Sequence, residues 1–263
     1  MNISGVEGLS YLDTLSVRSI VDEELSGARF ISTNPRQDSL SFIALRASYD
    51  LSSNILEAKK VKYINVADAA IFPKREQLAI AEDGEIKKLK DAKLLSNLEH
   101  KAHYFHSASV NIRSKNYYEG EGAYQYEKEK DKEKLIYFDS LWVENNVTRG
   151  ITQLERQSNF TLDPYFDYFG KVHVKGDDSL LRFDGYYHLQ ETLCLKQEET
   201  WVKFNHRIDP QDVKLSVSYP LYDQEQEKVY ASYMFSPSER KIYPLFLESD
   251  TIILDYPFWK ADG

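Results

Sequence analysis

The sequence predicts an all-β protein built from antiparallel strands. Residues 159–188 carry two runs rich in Tyr, Phe, Val and Leu on either side of a Gly- and Asp-rich turn at 175–178, as in a β-hairpin. The chain holds 19 Tyr and 13 Phe, and aromatic residues suit the half-buried surface of a sheet. Strong turn signals recur about every 15 to 30 residues, which indicates hairpins in series.

The first hundred residues divide into a lead-in and several strands. The lead-in covers 1–38, and its apolar spacing allows either a strand or a short helix. Residues 39–49 are predicted to form one strand, and 55–71 are predicted to continue as strand. Asp83-Gly84 predicts a tight turn. The apolar spacing in 85–95 leaves strand and helix open.

The middle of the chain is predicted to form successive hairpins. Runs of apolar and aromatic residues alternate there with short Asn-, Gly- or charge-rich turns. The predicted pairs are 123–126 with 135–138, 141–143 with 151–154, and 165–174 with 180–189.

These hairpins predict one of two architectures. One is an elongated antiparallel jelly roll of stacked hairpins, and the other is two β-sandwiches in series. The strand pattern breaks and charge rises at 190–199. We therefore expect a repetitive β-rich region over 1–190 and a second β-rich region over 191–263, which either continues the first or stands apart from it.

Charge and composition exclude several classes of protein. The net charge of −9 provides no positive field to attract a phosphate backbone, so we expect no nucleic-acid partner. Cys194 is the sole cysteine, which rules out an internal disulfide. We find no secretory signal and no apolar run long enough to span a bilayer. We expect no transmembrane segment, and a chain cut from a longer secreted protein whose targeting segment lies elsewhere.

Polar residues with possible chemistry have simpler explanations. His100, His103 and His106 come nearest to a metal site, but a complete ligand set is missing. Acidic residues suggest the paired carboxylates of glycosidases, although several of them fit turns; they are Asp163, Asp167, Asp177, Asp178 and Asp184. Aromatic residues suggest a sugar- or partner-binding platform, although core packing explains them more simply; they are Trp142, Trp201, Trp259, Tyr117, Tyr118, Tyr165, Tyr168, Tyr186 and Tyr187. We predict no catalytic residue, no metal ligand and no cofactor.

Four segments carry a resemblance to a known group of proteins. Residues 44–50, 61–71, 103–126 and 160–189 resemble segments of large uncharacterised secreted proteins of Bacteroidetes-type bacteria. The repeats of those proteins are similar in style to the OstA-like jelly-roll repeats of lipopolysaccharide-transport proteins. The resemblance covers about residues 40–190 and contains no catalytic signature. It implies a periplasmic or outer-membrane-associated location and an apolar groove that holds the acyl chains of lipid or lipopolysaccharide.

Such a groove would be lined by apolar and aromatic residues of the predicted strands. The candidates are Phe42, Leu45, Val61, Ile64, Val66, Ile71, Val110, Ile112, Tyr124, Tyr126, Phe138, Phe166, Phe169 and Val172. Exposed strand edges would also favour stacking on adjacent repeats of a longer parent protein.

Three functions stay open at this point. The first, which we favour, is a non-enzymatic structural or bridging module of a bacterial envelope protein with a lipid-accommodating interior. The second is a β-sandwich that binds glycan or protein, and the third is a carbohydrate-active enzyme. A conduit requires an open apolar interior, a binding module requires a filled core with an exposed patch, and a glycosidase requires a cleft with two converging carboxylates.

Overall fold

The computed structural model describes residues 17–21, 25–99, 101–129, 132–190, 200–210, 213, 220–236 and 240–247. Strand residues make up 61% and helical residues 7%, which confirms the predicted all-β class. Helical turns in these ranges are short and lie at 17–20, Pro35–Gln37, Lys74–Glu76 and Arg156–Ser158.

The strands of the described residues are numbered in chain order. They are β1 (Ala28–Ile31), β2 (Ser41–Ala44), β3 (Arg46–Asp50), β4 (Ile55–Lys59), β5 (Ile64–Val66), β6 (Ala69–Phe72), β7 (Gln77–Ile80), β8 (Leu89–Ser96), β9 (His103–Ser114), β10 (Tyr117–Glu129), β11 (Lys132–Glu144), β12 (Val147–Leu154), β13 (Thr161–Asp163), β14 (Phe166–Lys175), β15 (Leu181–Leu189), β16 (Val202–Ile208), β17 (Leu221–Tyr222), β18 (Lys228–Ser236) and β19 (Lys241–Leu247).

The strands belong to one large sheet and two small ones. The large sheet has 13 strands in the order β1-β2-β5-β6-β8-β9-β10-β11-β12-β14-β15-β16, with β13 paired to β14. The small sheets have the orders β3-β4-β7 and β17-β18-β19. Every strand pair with a described register is antiparallel, as hairpin connections require.

The chain divides into two units that each take several stretches of sequence. Unit 1 contains residues 1–152, 173–181 and 209–211, and unit 2 contains 153–172, 182–208 and 212–263. The sequence boundary predicted near residue 190 falls next to 191–199, which lie outside the described residues.

Local turn chemistry explains the predicted hairpins, although the predicted pairing of 141–143 with 151–154 is wrong in register, since a two-residue turn places 148–150 opposite 141–143. Between β11 and β12, Asn145 and Asn146 have φ values of 52° and 61°, the left-handed conformation of a two-residue hairpin turn. The strands β10 and β11 pair as predicted, with Tyr124 opposite Ile136. The strand or helix left open at 85–95 is a strand, β8.

The predicted single strands over 39–49 and 55–71 are wrong. The first divides at Leu45, because the chain leaves the large sheet after β2 and enters a small sheet at β3. The second divides into β4, β5 and β6, because Lys60 and Ala67 adopt left-handed φ values of 62° and 54° that end each strand.

Each unit has its own aromatic core. In unit 1, Phe105, Tyr124 and Phe138 make edge-to-face contacts with ring centroids 5.4 to 6.1 Å apart. In unit 2, the ring of Tyr168 contacts Phe183 at 5.1 Å, and both are buried. Rings of this size bury a large apolar area, and this burial stabilises the sheets that carry them.

A buried polar network fastens several turns of unit 1. The Asp68 carboxylate accepts hydrogen bonds from the Thr148 amide (2.9 Å) and hydroxyl (2.5 Å). Tyr118 donates to that hydroxyl at 2.7 Å, and burial raises the pKa of its phenol. The amide of Gly176 donates to the Thr148 carbonyl, and the Asn97 side chain donates to the Gly176 carbonyl. These bonds hold together turns that are distant in the sequence.

Candidate functional site

A pocket of about 420 Å³ lies in unit 1, between the segment that joins β1 to β2 and the turn that follows β7. Its size is within the range of about 300–1,000 Å³ that small-molecule sites occupy. Apolar side chains supply one part of its lining: Phe30, Leu40, Phe42, Leu56, Ile80 and Ile86. Polar residues supply another: Ser32, Thr33, Asn34, Gln37, Glu82 and Asp83. We call this site the Gln37 pocket.

Short-range hydrogen bonds build the two loops that form the Gln37 pocket. The Asn34 side chain accepts from the Arg36 amide at 3.0 Å, which caps the turn Pro35–Gln37. The same side chain donates to the Asp83 carbonyl at 3.1 Å and joins the two loops. Gly84, with φ of 82°, allows the tight turn after β7 that the Asp83-Gly84 pair predicted.

Gln37 is the unusual residue of the pocket. Its relative exposure is 2%, yet neither its side-chain oxygen nor its side-chain nitrogen has a hydrogen-bond partner in the described structure. Its main chain is fully engaged: its amide donates to Asn34, and its carbonyl accepts from the amides of Leu40 and Lys115, each at 3.0 Å. A buried polar group without a partner costs about 1–3 kcal/mol. The backbone therefore fixes an amide in a costly position at the wall of a pocket.

The chemistry of this amide defines a complementary ligand. A glutamine side chain offers both a donor and an acceptor, and it carries no charge. It matches another amide, or a pair of neighbouring hydroxyl groups, better than it matches an ion. Among the pocket residues, the ionisable side chains are Glu82 and Asp83. The Glu82 carboxylate accepts a hydrogen bond from the Asn54 side chain, and the Asp83 carboxylate accepts one from the Glu85 amide. The arrangement suits recognition of a polar, uncharged group.

The free edge of β1 lies next to the Gln37 pocket. Within the described strands, β1 pairs only with β2 and ends the order of the large sheet. The amide of Ser32 donates to Leu40 on the β2 side, so alternation turns the amides and carbonyls of Arg29 and Ile31 outward. Ile31 is 55% exposed. Within the part of the chain that the structure describes, β1 thus presents unpaired main-chain groups beside a pocket that contains an unpaired amide.

Most residues predicted to line a lipid groove lie inside packed regions. Eleven of the fourteen are buried: Phe42, Val61, Ile64, Val66, Ile71, Val110, Ile112, Tyr124, Tyr126, Phe138 and Val172. Phe166 and Phe169 are half-buried, and Leu45 is 56% exposed. Phe42 alone among them lines the Gln37 pocket, where its ring stacks on Phe30 at 5.3 Å.

The two described histidines of the predicted trio, His103 and His106, have different partners. His103 is buried, and its ring bonds the Asp178 carbonyl at 2.5 Å and the Tyr124 hydroxyl at 3.3 Å. Burial lowers the pKa of the His103 imidazole. His106 approaches the Ser107 hydroxyl at 3.2 Å, and His100 lies outside the described residues. The described part of the chain contains no group of three or more His, Cys, Asp or Glu side chains placed to hold a metal ion.

Four of the five acidic residues proposed for glycosidase chemistry have local partners, and the fifth, Asp184, is half-buried in β15. The Asp163 carboxylate accepts from the amides of Tyr165 and Phe166 in a turn. Asp178 accepts from the Leu180 amide in the same way. A hydrogen bond from Lys175 holds the pKa of Asp177 below its usual range. Asp167 contacts the His188 ring at 3.5 Å.

The aromatic residues proposed as a platform divide between core and surface. Tyr118, Tyr168, Tyr187 and Trp201 are buried, and Trp142 and Tyr186 are half-buried. Tyr117 and Tyr165 are 38% and 57% exposed. Trp259 and Cys194 lie outside the described residues.

Gln37 itself escaped the sequence-based reasoning. The signals around it were readable, since Asn34-Pro35 indicates a capped turn and Asp83-Gly84 indicates a tight turn. The Gln37 carbonyl accepts a hydrogen bond from the amide of Lys115, which is far away in the sequence. A contact of that kind leaves no pattern in the residues around Gln37.

The helical segments of the described residues are all too short to cross a bilayer. Comparison of the chain with protein families, with curated proteins and with solved structures finds no match.

Proposed function

We propose that this chain is a non-enzymatic binding module that holds an extended polypeptide segment on the free edge of β1. One side chain of that segment occupies the Gln37 pocket. The observation that carries the proposal is the buried Gln37 amide, whose donor and acceptor both lack a partner in the described structure.

The edge and the pocket act together in this proposal. An added strand bonds the outward amides and carbonyls of Arg29 and Ile31, which supplies affinity independent of sequence. Its side chains then lie about 5 Å from those of β1 on the same face. Phe30 of β1 lines the Gln37 pocket. A ligand side chain that lies next to Phe30 on the same face of the sheet can therefore enter the pocket. The pocket would supply sequence specificity.

A peptide fits this site better than a sugar. The outward amides and carbonyls of β1 have the same spacing as the main-chain groups of an extended peptide. The exposed Ile31 beside them is apolar. The Gln37 amide can bond a carboxamide side chain or a main-chain amide of the ligand. Eleven of the predicted groove residues are buried, and this supports a filled core rather than an open interior that holds lipid.

The proposed partner and location of the chain are those that its sequence predicts. We propose that the segment belongs to an adjacent repeat of a longer parent protein, and that the module bridges such repeats. A periplasmic or outer-membrane-associated location rests on the resemblance of residues 40–190 alone.

Selection of a random linear peptide library on the purified chain tests the proposal. We expect enriched peptides whose affinity falls at least about tenfold in Gln37→Leu, because the bonds to the buried amide are lost. Ile31→Pro should also weaken binding, because it removes an outward donor and leaves the bonds to β2 in place. Gln157→Leu, at an exposed glutamine far along the chain, is the matched control and should bind normally.

Three outcomes would overturn the proposal. Enriched peptides could bind both site variants as well as the wild type, or no peptide could be enriched at all. Native mass spectrometry of the gently purified chain could instead show a bound lipid mass, which would favour the conduit.

A further inference from the structure

A second concavity of unit 1 has a strongly positive lining although the whole chain carries a net charge of −9. Its volume is about 450 Å³. Six cationic side chains line it: Lys59, Lys74, Arg75, Lys87, Lys88 and Lys90. The lining contains one carboxylate, Glu57. We call this site the basic trough, and it comprises residues of β4, β7 and β8, of the turn before β7, and of the segment that leads into β8.

Among the described residues, three of these six cations have no carboxylate oxygen within 4 Å, although Lys90 still attracts the neighbouring Asp91 carboxylate. Lys74 pairs with Asp91 at 2.6 Å, and Lys59 and Lys88 approach carboxylates at 3.8 Å. Arg75, Lys87 and Lys90 form no ion pair within the described residues. Like charges that converge without partners repel one another, so an anion in the trough would relieve this repulsion.

The backbone at the trough is also unusual. Arg75 and Glu76 are consecutive residues with left-handed φ values of 56° and 57°. This conformation is uncommon for residues other than glycine and costs free energy. It holds Arg75 in the turn at the lining of the trough.

The geometry points to an anionic polysaccharide as the ligand, and we propose that the basic trough binds a chain that carries sulfate or carboxylate groups. The side chains of Lys59, Lys74 and Lys88 are 50–55% exposed, so they act as solvated point charges spread over a surface. Such charges bind a ligand with several anionic groups better than one small ion. The trough has no aromatic lining residue on which bases would stack, which disfavours single-stranded nucleic acid. A concave surface also makes few contacts with a flat lipid bilayer.

Binding of heparin oligosaccharides to the full chain tests this inference, with neutral dextran as the uncharged probe. Each cation that contacts the ligand adds about 0.7 to 0.9 to the slope of log affinity against log salt concentration. If three cations make contact, affinity should fall about 20- to 40-fold between about 50 mM and about 200 mM salt. The triple variant Arg75→Asn, Lys87→Gln, Lys90→Gln should lose most of the affinity and of the salt dependence. Asparagine is chosen at position 75 because it tolerates left-handed φ.

The matched control removes the same charge elsewhere. Lys171→Gln, Lys203→Gln and Lys228→Gln are exposed and lie outside the trough, and together they should leave binding within about twofold of the wild type. Equal losses in both triple variants would show that net charge alone governs binding and would refute the site. Tighter binding of polyuridylate or of phosphatidylglycerol vesicles than of heparin would refute the ligand class. Absence of heparin binding at low salt would refute the inference entirely.

Discussion

Replacement of Gln37 by leucine should stabilise the free protein and at the same time weaken the proposed peptide binding at least about tenfold. The wild-type side chain is 2% exposed, and both of its polar atoms lack partners in the described structure. Each unsatisfied buried polar atom costs about 1–3 kcal/mol, and solvent in the pocket recovers part of that cost. We expect the Gln37→Leu variant to gain about 1–2 kcal/mol in the free energy of unfolding, or about 2–8 °C in Tm.

Urea unfolding followed by circular dichroism measures this change. The midpoint should rise while the m-value stays constant, because the same surface is exposed on unfolding. The exposed control Gln157→Leu should stay within about 0.5 kcal/mol of the wild type. A loss of more than about 1 kcal/mol in Gln37→Leu would refute the reasoning, because it would mean that the free protein already satisfies this amide.

Three further changes test the packing and the electrostatics of unit 1. Gly150→Ala should cost about 1–3 kcal/mol in urea unfolding, because a Cβ there would lie 2.6 Å from a methyl carbon of Leu141; an unchanged midpoint would contradict the close packing. Thr148→Val should cost about 2–3 kcal/mol, because it removes the hydroxyl that donates to Asp68; Thr148→Ser should retain most of the stability. The folded-state pKa of His103 is depressed by burial, so its contribution to stability is present above the unfolded pKa of about 6.5 and is lost as pH falls below it, by at most about 1.4 kcal/mol per pH unit. His103→Gln should flatten the pH dependence of unfolding between about pH 7 and pH 5, and an unchanged slope would assign the effect to another group.

Features encoded by neighbouring residues were predictable from the sequence. The Asn145-Asn146 turn and the strands β14 and β15 depend on turn chemistry and on aromatic runs within a few residues of each other. The all-β class follows from the repetition of such hairpins.

Features set by distant contacts were not predictable. Nothing local indicates that the chain changes sheets at Leu45, or that Lys60 takes a left-handed φ, since lysine has no preference for that conformation. The Gln37 pocket and the basic trough were not predicted from the sequence for a similar reason. Each brings together side chains from segments separated by many residues, and the sheet topology determines which segments meet.

The discontinuous composition of unit 1 affects how the chain folds during synthesis. Residues 173–181 and 209–211 complete the unit, and the bonds of Gly176 to Asn97 and of Asp178 to His103 span 79 and 75 residues. At about 5–20 residues per second, a ribosome needs about 4–15 s to pass from His103 to Asp178. During that interval the buried His103 lacks its carbonyl partner, and until β14 is made β12 exposes an unpaired strand edge to other nascent chains. A gene fragment that ends at residue 152 would make that incomplete state permanent, so expression of the whole of unit 1 requires the chain to continue at least through residue 211.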